Sequence, residues 1–309
     1  MDGRCPLLRP SVVRVIVVTG ANGLVGSRLC TALASRDVAV RAVVRRPGSA
    51  PVVRGVQEHV GDFTDSSFAA AVLSGAAAAV TTVHPMSEDV EVQRTIGVHG
   101  TTSFATTAAA VGVERFVHVS TAAVYDRSPG ADDVDEASSL VGDDAGDYPV
   151  TKRDADLALA CVDGLTRVLL RPPAVLGPGE SSIWNTLRPS AIRDDASARH
   201  AVPQQTFSWV HLHDLVSFAA DVAMGRVSPS TDPAVGPVAG ACTPVNLAAG
   251  SATVRDYYET VTGALGVTPV WDEAEAWTGR ILSDRARGWG WSPAVGLAEA
   301  LDEIARGLR

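Results

Sequence analysis

The chain has 309 residues, 46% of them hydrophobic and 20% charged, with a formal net charge of −9. That balance fits a globular protein with a sizeable core, and its acidity argues against nucleic-acid partners, because phosphate binding needs a basic face. No run approaches the roughly 18 apolar residues of a membrane span, and residues 1–11 lack the apolar stretch of a signal peptide, so no membrane partner is expected and the cytoplasm is the default location.

A strand is predicted over 12–19, where VVRVIVVT is nearly all apolar, as in a strand buried on both faces. A helix over 24–35, strands over 38–44 and 56–60, and a helix over 66–74 follow. Next come a strand over 76–83, a long helix over 88–111, a strand over 115–120, a helix over 148–162 and a strand over 166–170. Such alternation implies an α/β Rossmann fold: a doubly wound parallel sheet with helices on both faces. After Arg171 the rhythm breaks. Residues 172–179 are rich in Pro and Gly, and 181–205 are polar and irregular. Beyond them a strand is expected over 207–212, a helix over 213–224, a loop over 226–244, a strand over 245–249, and helices over 254–265 and 297–308. This organises the chain as a dinucleotide-binding domain over 11–171, to which about 207–225 returns, and a smaller substrate-binding lobe within 172–309. Cys5, Cys30, Cys161 and Cys242 have neither metal-ligand nor redox spacing, and no metal is predicted.

Between the first strand and first helix stands TGANGLVG. Gly20, Gly23 and Gly26 permit a tight turn, close approach to a pyrophosphate and close helix–sheet packing, while Asn22, Leu24 and Val25 carry the chain into the helix. The helix start offers free N–H groups to phosphates. At the end of the second strand, Val43-Val44-Arg45-Arg46 lacks the acid that would bind a ribose 2′-hydroxyl. Arg45 can instead pair with a 2′-phosphate, so NADP(H) is expected over NAD(H). Asp62 and Phe63 follow the third strand on the adenine side, where Asp62 can accept from the adenine amino group; Asp65 suits a helix cap.

Tyr148 and Lys152 lie at i and i+4, one helical turn apart. A neighbouring ammonium favours phenolate and is expected to lower the tyrosine pKa. Composition singles the lysine out: of 26 basic residues 25 are Arg, and Lys152 is the sole Lys. Just after the fifth strand, Thr121, and next to it Ser120, can hydrogen-bond a substrate oxygen.

In order and spacing, TGANGLVG, GDFTD, STAAVYD, YPVTK, LRPPAVLGPG and WVHLHDL resemble the extended short-chain dehydrogenase/reductases, the NAD-dependent epimerase/dehydratase family. The resemblance implies Thr121, Tyr148 and Lys152 as the catalytic set, with Lys152 also on the cofactor ribose. It places the stretch containing Pro172 and Val175 beside the nicotinamide carboxamide, residues 211–214 near the substrate lobe, and a homodimer through the fourth and fifth helices. Three features depart from the family. Gly97 stands where members often carry Asn. His84-Pro85 ends the fourth strand in place of small residues, so His84 is expected in the substrate pocket, more as a polar wall than as an acid/base. Pro173 replaces an Asn that sugar-nucleotide enzymes use for phosphate.

The expected function is therefore an NADPH-dependent reductase that transfers hydride to a carbonyl of a small polyketide-like or terpenoid-like metabolite, with Tyr148 as proton donor. Ser120, His84, Trp184 and Trp209 are its candidate pocket walls. The alternatives are an epimerase or dehydratase that recycles its cofactor, and a non-catalytic NADP sensor.

Overall fold

The computed structural model describes residues 14–85 and 89–309. Cys5, the first two residues of the predicted 12–19 strand and the first residue of the predicted 88–111 helix lie outside the described residues. In chain order, β1 (Val15–Thr19) leads to α1 (Leu24–Ala34), β2 (Ala39–Val44), β3 (Val56–Val60), α2 (Ser66–Leu73) and β4 (Ala78–Thr81). There follow α3 (Val90–Val92), α4 (Thr101–Ala110), β5 (Arg115–Val119), α5 (Asp147–Ala160), β6 (Thr166–Arg171) and β7 (Ala174–Leu176). The remainder forms α6 (Arg188–Asp194), β8 (His200–Ala201), β9 (Thr206–His211), α7 (Leu212–Ala223), β10 (Cys242–Asn246) and β11 (Gly250–Thr253). The chain closes with α8 (Val254–Leu265), β12 (Val270–Trp271), α9 (Asp284–Gly288) and α10 (Leu297–Leu308).

Seven parallel strands form the central sheet in the order β10-β6-β5-β4-β1-β2-β3. The order reverses between β1 and β4, and in doubly wound sheets ligands bind outside the strand C-termini at that switch point. Apolar side chains cover both faces. Ile16, Val18, Val80 and Val117 pack with Leu29 and Leu33 of α1 and Leu215 and Ala219 of α7. On the other face Val17, Ala79 and Phe116 pack with Leu73 of α2, Phe104 of α4 and Leu159 of α5. Helix α7, which follows β9, thus belongs to the sheet's own core. No described helix is long and apolar enough to cross a membrane.

The smaller lobe is built on the three-stranded sheet β11-β9-β7 and the pair β12-β8. Its core joins Leu176, Ile192, Phe207, Trp209, Tyr257 and Ile304. Neither β7, β11, β8 and β12 nor α6 and α9 follow from the sequence pattern, being too short to carry a period.

Two expectations need correction. The strand predicted at 245–249 is β10 at Cys242–Asn246, three residues earlier, and includes Pro244. Proline is tolerated because β10 is an edge strand, paired only with β6, so its missing N–H breaks no ladder. The helix expected to run uniformly to residue 111 contains a wider π-helical stretch, Gln93–Gly100, between α3 and α4. Two close approaches coincide with it. A Cβ on Gly97 would lie 3.0 Å from His84 Nδ1, and one on Gly100 would lie 2.5 Å from Thr64 Cγ2. π-Helical stretches often mark functional sites.

Candidate active site

The glycine turn after β1 is shaped by contacts that only glycine permits. Gly20 has φ +69°, and a Cβ on Gly26 would collide with Gly20 O. Gly23 N donates to Gly20 O at 2.9 Å, closing the turn. Helix α1 begins with no side-chain cap and no acid in its first turn. Its N-terminal amides and positive dipole end therefore suit a pyrophosphate. Asn22 is exposed in this turn, and Leu24 and Val25 pack their side chains against the sheet core. Arg45 is exposed where β2 ends. Asp62 Oδ1 accepts from Thr64 N at 2.9 Å and from its hydroxyl at 2.8 Å, making a local turn. Phe63 is buried edge-on to Phe104, centroids 5.8 Å apart, so its ring belongs to the core. Asp65 caps α2 by accepting from Phe68 N.

At the C-terminal end of β5 the chain turns at Thr121, whose Oγ1 accepts from Ala123 N at 3.1 Å. Pro172 O accepts from Ala122 N at 2.8 Å, joining that turn to the end of β6, and Val175 is half-buried in β7. Tyr148 occupies the first turn of α5. The residue is 37% exposed, but its phenol end lies deep enough that burial raises its pKa above the usual 10.0. Asp156 adds to that rise, and a hydrogen bond with the Thr121 side chain opposes it.

Lys152, one turn on, is 3% exposed. Its Nζ donates to Val119 O at 3.0 Å, fixing the ammonium beneath the β5 turn. Burial lowers its pKa to about 8, against the attraction of Asp156. The structure thus corrects the expectation of an acidified phenol: Tyr148 keeps its proton at neutral pH, and the larger displacement falls on the lysine, because the ammonium is the more completely desolvated group.

His84 does enter this site. Its Nε2 lies 3.2 Å from Gln93 Oε1, and its ring stands against Tyr148. Burial and the Lys152 charge lower its pKa to about 4, with Gln93 opposing. It is a neutral imidazole at physiological pH. Thr151 Oγ1 lies 3.0 Å from the same Gln93 oxygen and 2.8 Å from Asp147 O. The π-helical stretch and the start of α5 are therefore tied together beside Tyr148.

The other proposed pocket walls lie elsewhere. Ser120 is buried beside Asp156, where its hydroxyl lowers the carboxyl pKa. Trp184 stacks edge-on against Phe207 and Tyr257 at 5.0 and 5.3 Å, and Trp209 is buried in β9. Both tryptophans belong to the lobe's aromatic core, which is the commoner use of a large ring.

Reasoning from sequence missed Gln93, Thr151, His118 and Asp156, and placed Arg171 only within the stretch beside the nicotinamide. The signal for His118, Asp156 and the burial of Arg171 was present: a charged or titratable residue amid apolar neighbours on a strand or helix face that must be buried.

Comparison with known proteins places the chain in a family and supports the fold. The family model described as the NAD dependent epimerase/dehydratase family matches residues 16–227. A 4-hydroxy-2-methyl-3-oxo-4-farnesyl-3,4-dihydroquinoline-1-oxide ketoreductase of Stigmatella aurantiaca is 31% identical over 175 residues, 53% of this chain and 51% of that protein. A 3 beta-hydroxysteroid dehydrogenase/Delta 5-->4-isomerase of Mycobacterium tuberculosis is 27% identical over 194 residues, 58% of this chain and 51% of that protein. The chain spans about half the length of the curated relatives it matches. Among solved structures, the Bordetella bronchiseptica enzyme WbmG in complex with NAD superposes with TM-score 0.74 at 17% identity, covering 97% of this chain and 96% of that one. The epimerase Mth375 of Methanothermobacter thermautotrophicus superposes with TM-score 0.76 at 19% identity, covering 95% and 91%. At such identities the likeness speaks for the fold.

Proposed function

The chain belongs to the NAD-dependent epimerase/dehydratase family, and from that premise we propose that it is an NADPH-dependent ketoreductase acting on a hydrophobic, ring-bearing ketone. One observation carries the reading: Tyr148 stands one helical turn from the buried Lys152 ammonium, which donates to Val119 O beneath the Thr121 turn. A protonated phenol is an acid, the state that carbonyl reduction requires of its proton donor.

The roles follow from position. Thr121 hydrogen-bonds the substrate carbonyl oxygen, and Tyr148 gives that oxygen its proton. Lys152 offsets the negative charge left on the phenolate and offers a donor to the cofactor ribose. The cradle at Gly20, Gly23 and Gly26 and the uncapped start of α1 fit a dinucleotide pyrophosphate. Arg45 supports the choice of NADP(H) over NAD(H) through a 2′-phosphate. A bound nicotinamide supplies the hydride. His84, neutral and edge-on to Tyr148, serves as a polar wall. The substrate class rests on the farnesylated quinoline ketone and the steroid in the names of the two relatives, and on Pro173 standing where an Asn would hold the phosphate of a sugar nucleotide. A homodimer through α4 and α5 and a cytoplasmic location complete the proposal.

The test is to follow reduced-nicotinamide absorbance with purified protein, NADPH or NADH, and a panel of steroid, quinolone and prenylated aromatic ketones. Steady oxidation matched by alcohol formation is expected. Product formed without net oxidation would replace this reading with cofactor recycling, the chemistry of an epimerase. Cofactor binding without turnover on any ketone or alcohol would mark a sensor.

A further inference from the structure

Behind the site runs a buried chain of polar groups. Arg171, at the end of β6, donates from Nε to Asp156 Oδ2 at 2.9 Å and from Nη1 to Tyr125 Oη at 2.8 Å. Tyr125 in turn donates to Asn246 Oδ1 at 2.7 Å, and Asn246 Nδ2 donates to Leu282 O at 3.0 Å. The guanidinium also lies over the Tyr125 ring, 5.0 Å from its centroid. Asp156, Arg171, Tyr125 and Asn246 are all buried. A buried ion pair is seldom retained for stability alone, because desolvation offsets most of its attraction.

The location of this network is informative. Asp156 is on α5 one turn beyond Lys152, so Tyr148, Lys152 and Asp156 follow one another at i, i+4 and i+8 along one helix face. Tyr125 lies in the segment that begins at Thr121. Both catalytic segments are thus tied to β6 from behind. Arg171 takes only Oδ2. The other oxygen, Oδ1, is fully buried and, like the buried Ser120 hydroxyl, completes no hydrogen bond among the described residues.

We propose that Asp156 is a positioning residue that holds Lys152 as an ammonium in its dry setting and, through Arg171 and Tyr125, locks the Thr121 turn in register with the Tyr148 helix. Counting charges makes the reason plain. Arg171, Asp156 and Lys152 sum to one positive charge, and the phenolate left when Tyr148 gives up its proton brings the buried cluster to neutrality. Without the carboxylate, two cations would face each other in the core and the lysine would lose its proton first.

The groups facing Lys152 are few. Asp156 and Tyr148 share its helix, His118 and the Val119 carbonyl come from β5, and His84 comes from the exit of β4. His118 and His84 are both held neutral by burial, with Lys152 adding to the effect. Asp156 is the anion of the set. Burial pushes its carboxyl up, while Arg171, Ser120 and Lys152 pull it down.

Because Lys152 is the sole lysine, protein grown on carbon-13 lysine shows a single lysine Cε resonance, and its pH titration reads this ammonium directly. The wild-type midpoint is expected near 8. Asp156→Asn should move it down by about one pH unit or more, and Asp156→Glu should restore most of the shift. A loosened core would move the midpoint the opposite way, toward an ordinary lysine, so structural damage and lost charge are told apart. If Asp156→Asn fails to fold with Arg171 uncompensated, D156N/R171Q removes both charges, and the Lys152 midpoint should still fall, by less than in Asp156→Asn because the repulsion from Arg171 is gone too. An unchanged or raised midpoint in a folded variant overturns the proposal. This inference rests on the reading of Tyr148 and Lys152 as catalytic only in its second arm. There the alkaline limb of ketone reduction should shift to lower pH in Asp156→Asn, while a uniform loss at every pH would reduce Asp156 to a packing role. If the wild type reduces no ketone, the proposed activity falls, and the lysine titration still decides the role of Asp156.

Discussion

His84 meets Tyr148 edge-on, the ring centroids 5.0 Å apart and the planes at 86°. The π-helical stretch passes close by at Gly97, where a Cβ would lie 3.0 Å from the imidazole. The missing Cβ at Gly97 thus leaves room for a residue from the β4 exit to stand beside the phenol.

The wall should not titrate in the working range. With its pKa lowered to about 4, His84 is uncharged above pH 5. His84→Phe is therefore expected to leave the shape of the pH–rate profile between 5 and 9 unchanged, while kcat/KM falls by no more than about tenfold from altered packing. Loss of a pH-dependent limb in that variant would make His84 an acid/base group instead.

Removing the acid should separate chemistry from binding. Tyr148→Phe is expected to lower kcat by roughly 10²–10⁴, with the NADPH dissociation constant changed only a few-fold by fluorescence titration. Equal losses in binding and turnover would place the tyrosine in the cofactor site alone.

The lysine carries a stability cost with a definite sign. Its folded pKa of about 8 lies below the 10.5 of a free lysine. Burial of the ammonium therefore disfavours the fold fully below pH 8, and the cost fades as pH rises from 8 to 10.5. Lys152→Met is expected to stabilise the protein at pH 7 by up to roughly 3 kcal/mol while abolishing turnover. Urea unfolding at pH 7 and pH 10 should show that gain shrinking at the higher pH. A variant less stable than wild type at pH 7 would contradict the burial argument.

The proposed preference for NADP(H) turns on the exposed Arg45. Arg45→Ser is expected to weaken NADPH by about tenfold, the worth of one charge-assisted pair, and to leave NADH nearly unchanged. Equal effects on both cofactors would remove Arg45 from the 2′-phosphate site.

Much of the sheet was legible because β1, β2, β4, β5 and β6 are mostly apolar runs separated by helical periods, a pattern that implies a parallel α/β sheet. The Tyr148–Lys152 spacing was equally readable, since four residues define a helix face. What could not be read arose from contacts far apart in sequence. Pro244 reads as a loop until its strand is known to lie on an edge, and Trp184 reads as a pocket wall until Phe207 and Tyr257 close around it. The direction of the tyrosine shift depends on desolvation, and burial depth leaves no trace in a local motif.

Strand β10 has a consequence for how the chain is made. The last member of the seven-stranded sheet is drawn from residues 242–246, after the intervening lobe segments and α7 have left the ribosome. Until then β6 presents a naked row of amides and carbonyls, the kind of border that invites strand exchange between nascent copies. Fragments ending short of residue 242 should accordingly be recovered as aggregates, however complete their nucleotide cradle.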